Sequence, residues 1–427
     1  MAPCSRASET HAIAGNHRDS LKIRTIPSKI QGKSRFPMIS RLAQQRIQEL
    51  AELFPCVVIL GPRQCGKTTL AKGFLKGHYF DLEKPSDRQV FESDVEFGLR
   101  QFPEPLILDE AQSMPELFGV LRGLIDEKRD QSGRFYLLGS VNPDLVKGIS
   151  ESLAGRVGTV DLTPFLYSEV ASTLGRDVTS FWFHGGFPDP CQLGEGDAWS
   201  LWQENYVRTF VERDIPRQGG RLSPIQVRQM MSMLAHLHGK VLNASDLSRS
   251  AGISYHSIQN YIDLVEGHFL LYRLPSYQVN VAKRLVRSPK VYYTDSGLLH
   301  YLLGIRNRRG LFESPYLGPS WEGFVIGQII SMERLFRTGS QFSFYRTQAG
   351  AEIDLILERG DSRTGFEVKF GSSVTAGDIR NLRSGISEGL IHRGWVIHAG
   401  ERTFAFPDSI SAVGAEEFLL NYRQMVG

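Results

Sequence analysis

The sequence predicts an α/β protein built on a parallel sheet, followed by a helical stretch and a second strand-rich region. Three observations carry this. Short apolar runs alternate with helical patterns between residues 56 and 162, a glycine loop joins the first run to a helix, and from about Lys290 the chain returns to strands as far as Val396. Alternation at that pitch implies a mainly parallel sheet with helices on both faces.

Residues 39–53 place Ile39, Leu42, Ile47, Leu50 and Leu53 at helical spacing and read as an amphipathic helix. Residues 56–60 form a short buried strand that runs into the glycine loop, and a helix follows from Lys67 to about Lys76. Further strands are expected at 79–82, 105–109, 134–138 and 158–162, with a helix at 117–128. Past Pro164 the pattern changes: a Gly/Pro-rich turn region at 182–190, then helices at 199–213 and 226–238. No internal repeat or low-complexity block interrupts it.

A chain of 427 residues suggests two or three domains. Its 41% hydrophobic and 22% charged content is that of a soluble globular protein. The net charge of +3 is uneven: residues 1–50 hold nine Lys/Arg and three Asp/Glu, which leaves 40 and 43 in the rest. The body is therefore slightly acidic, and overall charge argues little for nucleic acid. Residues 1–37 read as a disordered basic extension, with Met38 as an alternative start and an organelle-targeting peptide as the lesser alternative. Cys4, Cys56, Cys65 and Cys191 show no metal spacing, which fits a reducing cytoplasm. No apolar run approaches the ~20 residues that span a bilayer, so no membrane partner is expected.

The loop Gly61-Pro62-Arg63-Gln64-Cys65-Gly66-Lys67-Thr68 follows an apolar strand and opens a helix, the context of a P-loop. Its backbone N–H groups and the helix N-terminus suit a triphosphate. Lys67 is expected on the β- and γ-phosphates, Thr68 on Mg²⁺, and Thr69 near the α-phosphate. Leu106-Ile107-Leu108-Asp109-Glu110 is an apolar strand ending in two acids: Asp109 to hold Mg²⁺ through water, Glu110 to polarise the attacking water. Ser140 and Asn142 are the candidates for sensing the γ-phosphate. Arg156 and Arg213 are candidate phosphate contacts, from the same subunit or a neighbour; a surface salt bridge is the alternative for each. Cys65 reads as a small filler rather than a redox switch.

These residues resemble the AAA-type ATPases of bacteria and archaea that carry a C-terminal domain of unknown function. The resemblance rests on the P-loop, Leu108-Asp109-Glu110-Ala111-Gln112, Gly139-Ser140 and Leu153-Ala154-Gly155-Arg156. It extends to Gly185-Gly186-Phe187-Pro188, Arg213-Asp214-Ile215, Tyr293-Thr294-Asp295-Ser296-Gly297-Leu298 and Trp321-Glu322. It covers about residues 40–410 and implies a fold and nucleotide use rather than a cellular role. Ser140-Val141-Asn142 departs from it, since relatives often carry consecutive small hydroxyl residues there.

Residues 243–262 have a winged-helix signature. Leu247, Ala251, Ile258 and Ile262 are expected inward, Gly252 at the turn, and Ser254 as a helix cap. Tyr255, His256, Gln259 and Asn260 would face a DNA groove, but this helix has no Lys or Arg to meet phosphates. A lid on the ATPase or a protein-docking surface is the favoured alternative.

Further on, period-two alternation puts Glu367 and Lys369 on one strand face, with Asp354 on an alternately exposed partner strand across a hairpin at Gly360-Asp361. Such a cluster holds Mg²⁺ and activates water against a phosphodiester; Glu322 is a further candidate acid. The arrangement is similar to the restriction-endonuclease-like core. The plain alternative is a cross-strand ion pair.

The expected organisation is a basic extension (1–37), an AAA-like P-loop ATPase domain (38–175), a helical linker region (176–225), a winged-helix domain (226–285) and a restriction-endonuclease-like α/β domain (286–427). ATP and Mg²⁺ are the expected cofactors. The expected activity is ATP hydrolysis controlling the later modules. An ATP-gated nuclease and a non-catalytic regulator that binds DNA, RNA, a protein or a second copy of the chain are the alternatives.

Overall fold

Cys56-Val57-Val58-Ile59-Leu60 is buried along its whole length, as a central parallel strand must be. The computed structural model describes residues 38–140, 149, 151–217, 223–278, 286–336 and 339–427. The expected extension at 1–37 and the candidate Asn142 lie outside them. The chain divides into Met1–Met38 and Ile39–Gly427, and every secondary-structure element described belongs to the second unit.

Strands β1 (Cys56–Leu60), β2 (His78–Asp81), β3 (Leu106–Asp109), β4 (Phe135–Gly139) and β5 (Val157–Asp161) form a sheet of order β2-β3-β4-β1-β5. Every pairing in it is parallel, and Cys56 lies level with both Phe135 and Val157. All carboxyl ends therefore share one edge, where ligands bind in open parallel sheets. The helix Ala43–Leu53 packs over β5, so closely that a Cβ on Gly158 would lie 2.9 Å from Leu50 and Phe54.

The stretch read as a helical linker is helical but densely packed. Trp182 on the helix Val178–His184 is fully buried, with ring centroids 5.0 Å from Trp321 and 5.4 Å from Phe370. Its aromatic content is the reason: rings this large are left exposed only at a high hydrophobic cost. The helices Ala244–Ala251 and Tyr255–Gly267 bury Leu247, Ile258 and Ile262 as expected. Gly252 turns between them at φ +63°, and the Ser254 hydroxyl caps the second by accepting the Ser257 N–H. A two-stranded antiparallel ribbon follows, β6 (Leu271–Leu274) with β7 (Lys290–Tyr293).

The helix Leu317–Phe336 leads into a second sheet of order β12-β13-β11-β10-β9-β8. Its strands are β8 (Gln341–Arg346), β9 (Glu352–Arg359), β10 (Ser362–Lys369), β11 (Arg393–His398), β12 (Phe404–Phe406) and β13 (Ile410–Gly414). β8, β9 and β10 run as an antiparallel meander, the helix Arg380–Ser387 crosses over, and β11 returns parallel to β10. Alternating exposure fails for β9: residues 353–357 are all buried, because apolar clusters cover both faces of the sheet.

Candidate functional site

The glycine loop leaves β1 at the carboxyl edge. A Cβ on Gly61 would lie 2.2 Å from the Leu162 carbonyl oxygen, because the chain after β5 crosses there and donates from Leu162 N to Leu60 O. Gly66 closes the loop at φ +98° and caps the helix Lys67–Phe74. Lys67 is buried; its ammonium donates to the Gly61 and Pro62 carbonyls at 2.9 and 2.8 Å. The Thr68 hydroxyl donates to Asp109 Oδ2 at 2.6 Å, and Tyr79 donates to the same oxygen at 2.7 Å. Hard oxygen donors on two elements meeting at one point are a set that fits Mg²⁺. Thr69 is exposed on the first turn, as is Gln64 on the loop, while Pro62 and Cys65 are buried.

Glu110 follows at φ +54°, a left-handed conformation that non-glycine residues adopt at a cost of roughly 1–2 kcal/mol. Burial raises its carboxyl pKa, while the Lys67 ammonium and the Gln112 amide, which donates to it, pull the other way. The Ser140 hydroxyl ends β4 on the same edge, buried and without a hydrogen-bond partner among the described residues.

The side chain of Arg63 leaves the loop. Its guanidinium pairs with Asp214 at 3.0 Å and approaches Glu83 at 3.8 Å. Arg213 donates to Glu83 at 2.9 Å. Arg213 and Asp214 close a π-helical turn, Phe210–Asp214, a distortion frequent at functional sites. Two arginines and two acids thus meet beside the P-loop.

Arg156 is elsewhere. It precedes Val157, which lies level with Cys56 at the amino edge of the sheet, about 16 Å from the loop by strand rise. Both its guanidinium arms hold Asp126, at 2.8 and 2.7 Å. Strand polarity therefore corrects the expectation that Arg156 reaches phosphate within its own subunit.

In the second sheet, Lys369 Nζ donates to Glu367 Oε1 at 2.7 Å, and Asp354 Oδ2 accepts the Val368 N–H at 2.9 Å. Asp354 and Glu367 are both buried. Burial and their mutual repulsion raise the pKa of Asp354; burial raises that of Glu367, against the pull of Lys369. Glu367 Oε2 has no hydrogen-bond partner among the described residues. Glu322 accepts from Lys290 at 2.9 Å and Tyr292 at 2.6 Å, while Lys290 also pairs with Glu352 at 2.5 Å; the Glu322 charge raises the pKa of both Asp354 and Glu367. Among the described residues no group of three or more His, Cys, Asp or Glu could hold a metal ion, so Asp354, Glu367 and Glu322 do not form a three-acid set.

The chain is 35% identical over 382 residues to the uncharacterized protein Rv2008c of Mycobacterium tuberculosis, covering 89% of this chain and 84% of that one. The chain belongs to the Rv2008c family. The uncharacterized Mycobacterium bovis protein Mb2031c matches to the same extent. Residues 54–171 match the AAA domain model, and residues 175–309 and 317–418 match two domains of unknown function, DUF8612 and DUF4143. This member of the Rv2008c family is therefore an AAA-type, ATP-binding, ATPase-like protein. Among solved structures, the Walker-type ATPase PABY2304 of Pyrococcus abyssi overlays with a TM-score of 0.44 at 16% identity, covering 61% of this chain and 94% of that one. A likeness that distant carries no argument about function.

Among the buried charges of this Rv2008c-family chain that escaped the sequence reading are Asp295, Arg41 and Glu169. Asp295 was noted only within a motif. Arg41, counted with the basic N-terminal residues, is 6% exposed and lies against the P-loop. Its acid partner, Glu169, is 128 residues away, so no local signal joins them.

Proposed function

We propose that this protein is a magnesium-dependent ATPase whose nucleotide state controls a winged-helix module (226–285) and a nuclease-like module (286–427), transmitted through the helical region 176–225 packed behind the ATPase domain (38–175). The observation that carries this reading is the 2.6 Å contact between Thr68 Oγ1 and Asp109 Oδ2, with half-buried Glu110 next in sequence. Glycine loop and acidic strand end meet at one point.

The loop amides and the helix N-terminus take the triphosphate. Lys67 exchanges its hydrogen bonds to the Gly61 and Pro62 carbonyls for the β- and γ-phosphate oxygens. Thr68 and, through water, Asp109 would hold magnesium, which would supply charge neutralisation at those oxygens. Glu110 orients a water and takes its proton as the water oxygen attacks the γ-phosphorus. The bond to the β–γ bridging oxygen breaks, and ADP leaves. The Ser140 hydroxyl is the candidate donor to the γ-phosphate, and Arg213 the candidate cation. The test is phosphate release by wild type, Lys67→Ala and Glu110→Gln; turnover retained by Lys67→Ala overturns the reading.

A second reading, an ATP-gated metal-dependent nuclease, is favoured by the unpartnered buried Glu367 Oε2 beside Asp354 and Lys369. The order helix, three-strand meander, helix, parallel strand supports the restriction-endonuclease-like assignment. Asp354 and Glu367 would hold Mg²⁺, and Lys369 would stabilise the developing charge on the phosphodiester. Magnesium-dependent nicking by wild type, lost in Asp354→Ala, tests it. A third reading, a non-catalytic regulator, rests on the exposed face of Tyr255, His256 and Asn260. With no Lys or Arg on that helix, this face suits a protein partner or a second copy better than DNA or RNA. No helix among the described residues is long and apolar enough to cross a membrane, and a cytoplasmic location belongs to this proposal.

A further inference from the structure

A phosphate loop works by turning its N–H groups inward, which turns some of its carbonyls outward, and each outward carbonyl needs a donor. Behind this loop the donor is Arg41. Its Nη1 donates to the Cys65 carbonyl at 3.0 Å. Nη2 donates to the Thr163 carbonyl at 2.6 Å, and Nε to Glu169 Oε2 at 3.1 Å. The guanidinium carbon lies 4.9 Å from the centre of the Phe165 ring. Glu169 is equally constrained: it also accepts the Leu42 N–H at 2.7 Å and the Leu166 N–H at 2.9 Å. The side chains of this pair are 6% and 1% exposed. A planar fork fixed on three sides leaves its remaining arm one direction, toward Cys65.

We infer that Arg41 is a positioning residue for the nucleotide. In a trans peptide the carbonyl and the following N–H point in opposite directions. Arg41 on the Cys65 carbonyl therefore aims the Gly66 N–H into the hollow of the loop, where a phosphate oxygen accepts it. Because Glu169 neutralises the guanidinium charge, Arg41 acts on the site through its hydrogen bond to Cys65 rather than through net charge. Lysine in its place keeps the charge but cannot reach Cys65, Thr163 and Glu169 together. The inference rests on ATP binding at the P-loop and names a residue before β1 as part of that site's scaffold.

The experiment measures ATP affinity by titration, and thermal stability without nucleotide, for full-length wild type, Arg41→Lys and Glu169→Gln. Arg41→Lys is expected to bind ATP about tenfold more weakly, the scale of one charged hydrogen bond. Glu169→Gln removes the ion pair but leaves the guanidinium on Cys65; it is expected to lower the melting temperature while holding affinity within about twofold. Should Arg41→Lys not accumulate folded, Arg41→Gln is measured in its place, with the same loss expected. Wild-type affinity in a folded Arg41 variant overturns the inference, as does a loss of affinity that tracks melting temperature equally in both positions. If wild type itself binds no ATP, it is the P-loop reading that fails.

Discussion

The Gly186 N–H donates to Asp295 Oδ2 at 2.7 Å, joining two motifs 109 residues apart. The other oxygen, Oδ1, accepts the Leu298 N–H at 2.8 Å and so caps the helix Ser296–Leu302. Gly185 is pressed on the same carboxylate: at φ +80°, a Cβ there would lie 2.4 Å from Oδ1. Gly297 is as tight, with 2.1 Å to the His184 carbonyl oxygen. Glycines at 185 and 297 are thus required by one buried acid and the chain around it. Gly186 O in turn accepts the Phe165 N–H at 2.7 Å, and the carbonyls of Thr163 and Pro164 just before it face Arg41. A strip of hydrogen bonds therefore runs from the P-loop to the helix after β7.

Gly185→Ala meets both a disfavoured backbone and a fixed carboxylate. It is expected to cost about 3 kcal/mol in a urea melt. Asp295→Ala, which leaves the Gly186 and Leu298 amides buried and unpaired, is expected to cost a similar amount. A loss under ~0.5 kcal/mol for either would mean that the latch does not hold the fold, since that is the scale of a neutral surface change.

In the proposed mechanism Gln112 sets the acid limb of turnover. The proposed base Glu110 would act as a carboxylate, and desolvation already raises its pKa; the Gln112 amide counters that by hydrogen-bonding the charged form. Removing the amide leaves the charged form less favoured. Gln112→Leu is therefore expected to shift the acid limb of the pH profile of ATP turnover to higher pH, with the alkaline plateau less affected. An acid limb that stays put would separate Glu110 from the rate-limiting proton transfer.

Much of the ATPase half was legible because its signals are local. β1, the glycine loop and the helix after it occupy one contiguous stretch, and Asp109-Glu110 ends an apolar run. What escaped depends on partners distant in sequence. Nothing near Arg41 announces Glu169, and the Gly185-Gly186 and Asp295 motifs were each visible without any sign that they touch. Arg156 sits in a family-like motif, yet its place at the amino edge appears only once the strand register is known. β9 was misread because a strand covered on both faces loses its alternation, and a buried Asp354 imitates an exposed position.

His300 is buried, with Nδ1 on the Phe183 carbonyl at 3.0 Å and Nε2 on the Ser320 hydroxyl at 2.7 Å. Burial lowers its pKa to about 4. A base with a depressed folded pKa is held neutral, so its contribution is fully present above the unfolded value near 6.5 and is lost as pH falls toward 4. Wild type is expected to lose on the order of 3 kcal/mol across that window from this residue. His300→Gln is expected to show a shallower slope in denaturant melts at pH 7, 6, 5 and 4. Equal slopes would place the acid sensitivity elsewhere.

Arg213 and Arg156 are both in surface ion pairs, worth about 0–1 kcal/mol, so neither alanine variant is expected to unfold the protein. Their effects on turnover differ. Arg213 stands beside the P-loop, and Arg213→Ala is expected to lower kcat on the order of 100-fold, the scale of one lost transition-state donor. Arg156→Ala is expected to leave turnover of a dilute protein unchanged. A loss there that is rescued by mixing with Lys67→Ala would assign Arg156 to a neighbouring subunit's site.

The carboxylate pair of the second sheet gives the last prediction. Asp354 and Glu367 are buried within reach of each other's charge, and both resist ionisation. A site that concentrates negative charge for a cation carries such a conflict and is stabilised when its function is removed, whereas a structural pair held by Lys369 and the Val368 N–H is destabilised. Asp354→Asn keeps an oxygen for the Val368 N–H and removes the repulsion. It is expected to raise stability at pH 8 by about 1 kcal/mol. Mg²⁺ is expected to raise the melting temperature of wild type more than that of the variant, because only wild type offers two carboxylates to the ion. If Asp354→Asn is instead destabilised and Mg²⁺ shifts both proteins alike, the pair is a structural element of the β9–β10 hairpin and the nuclease reading loses its support.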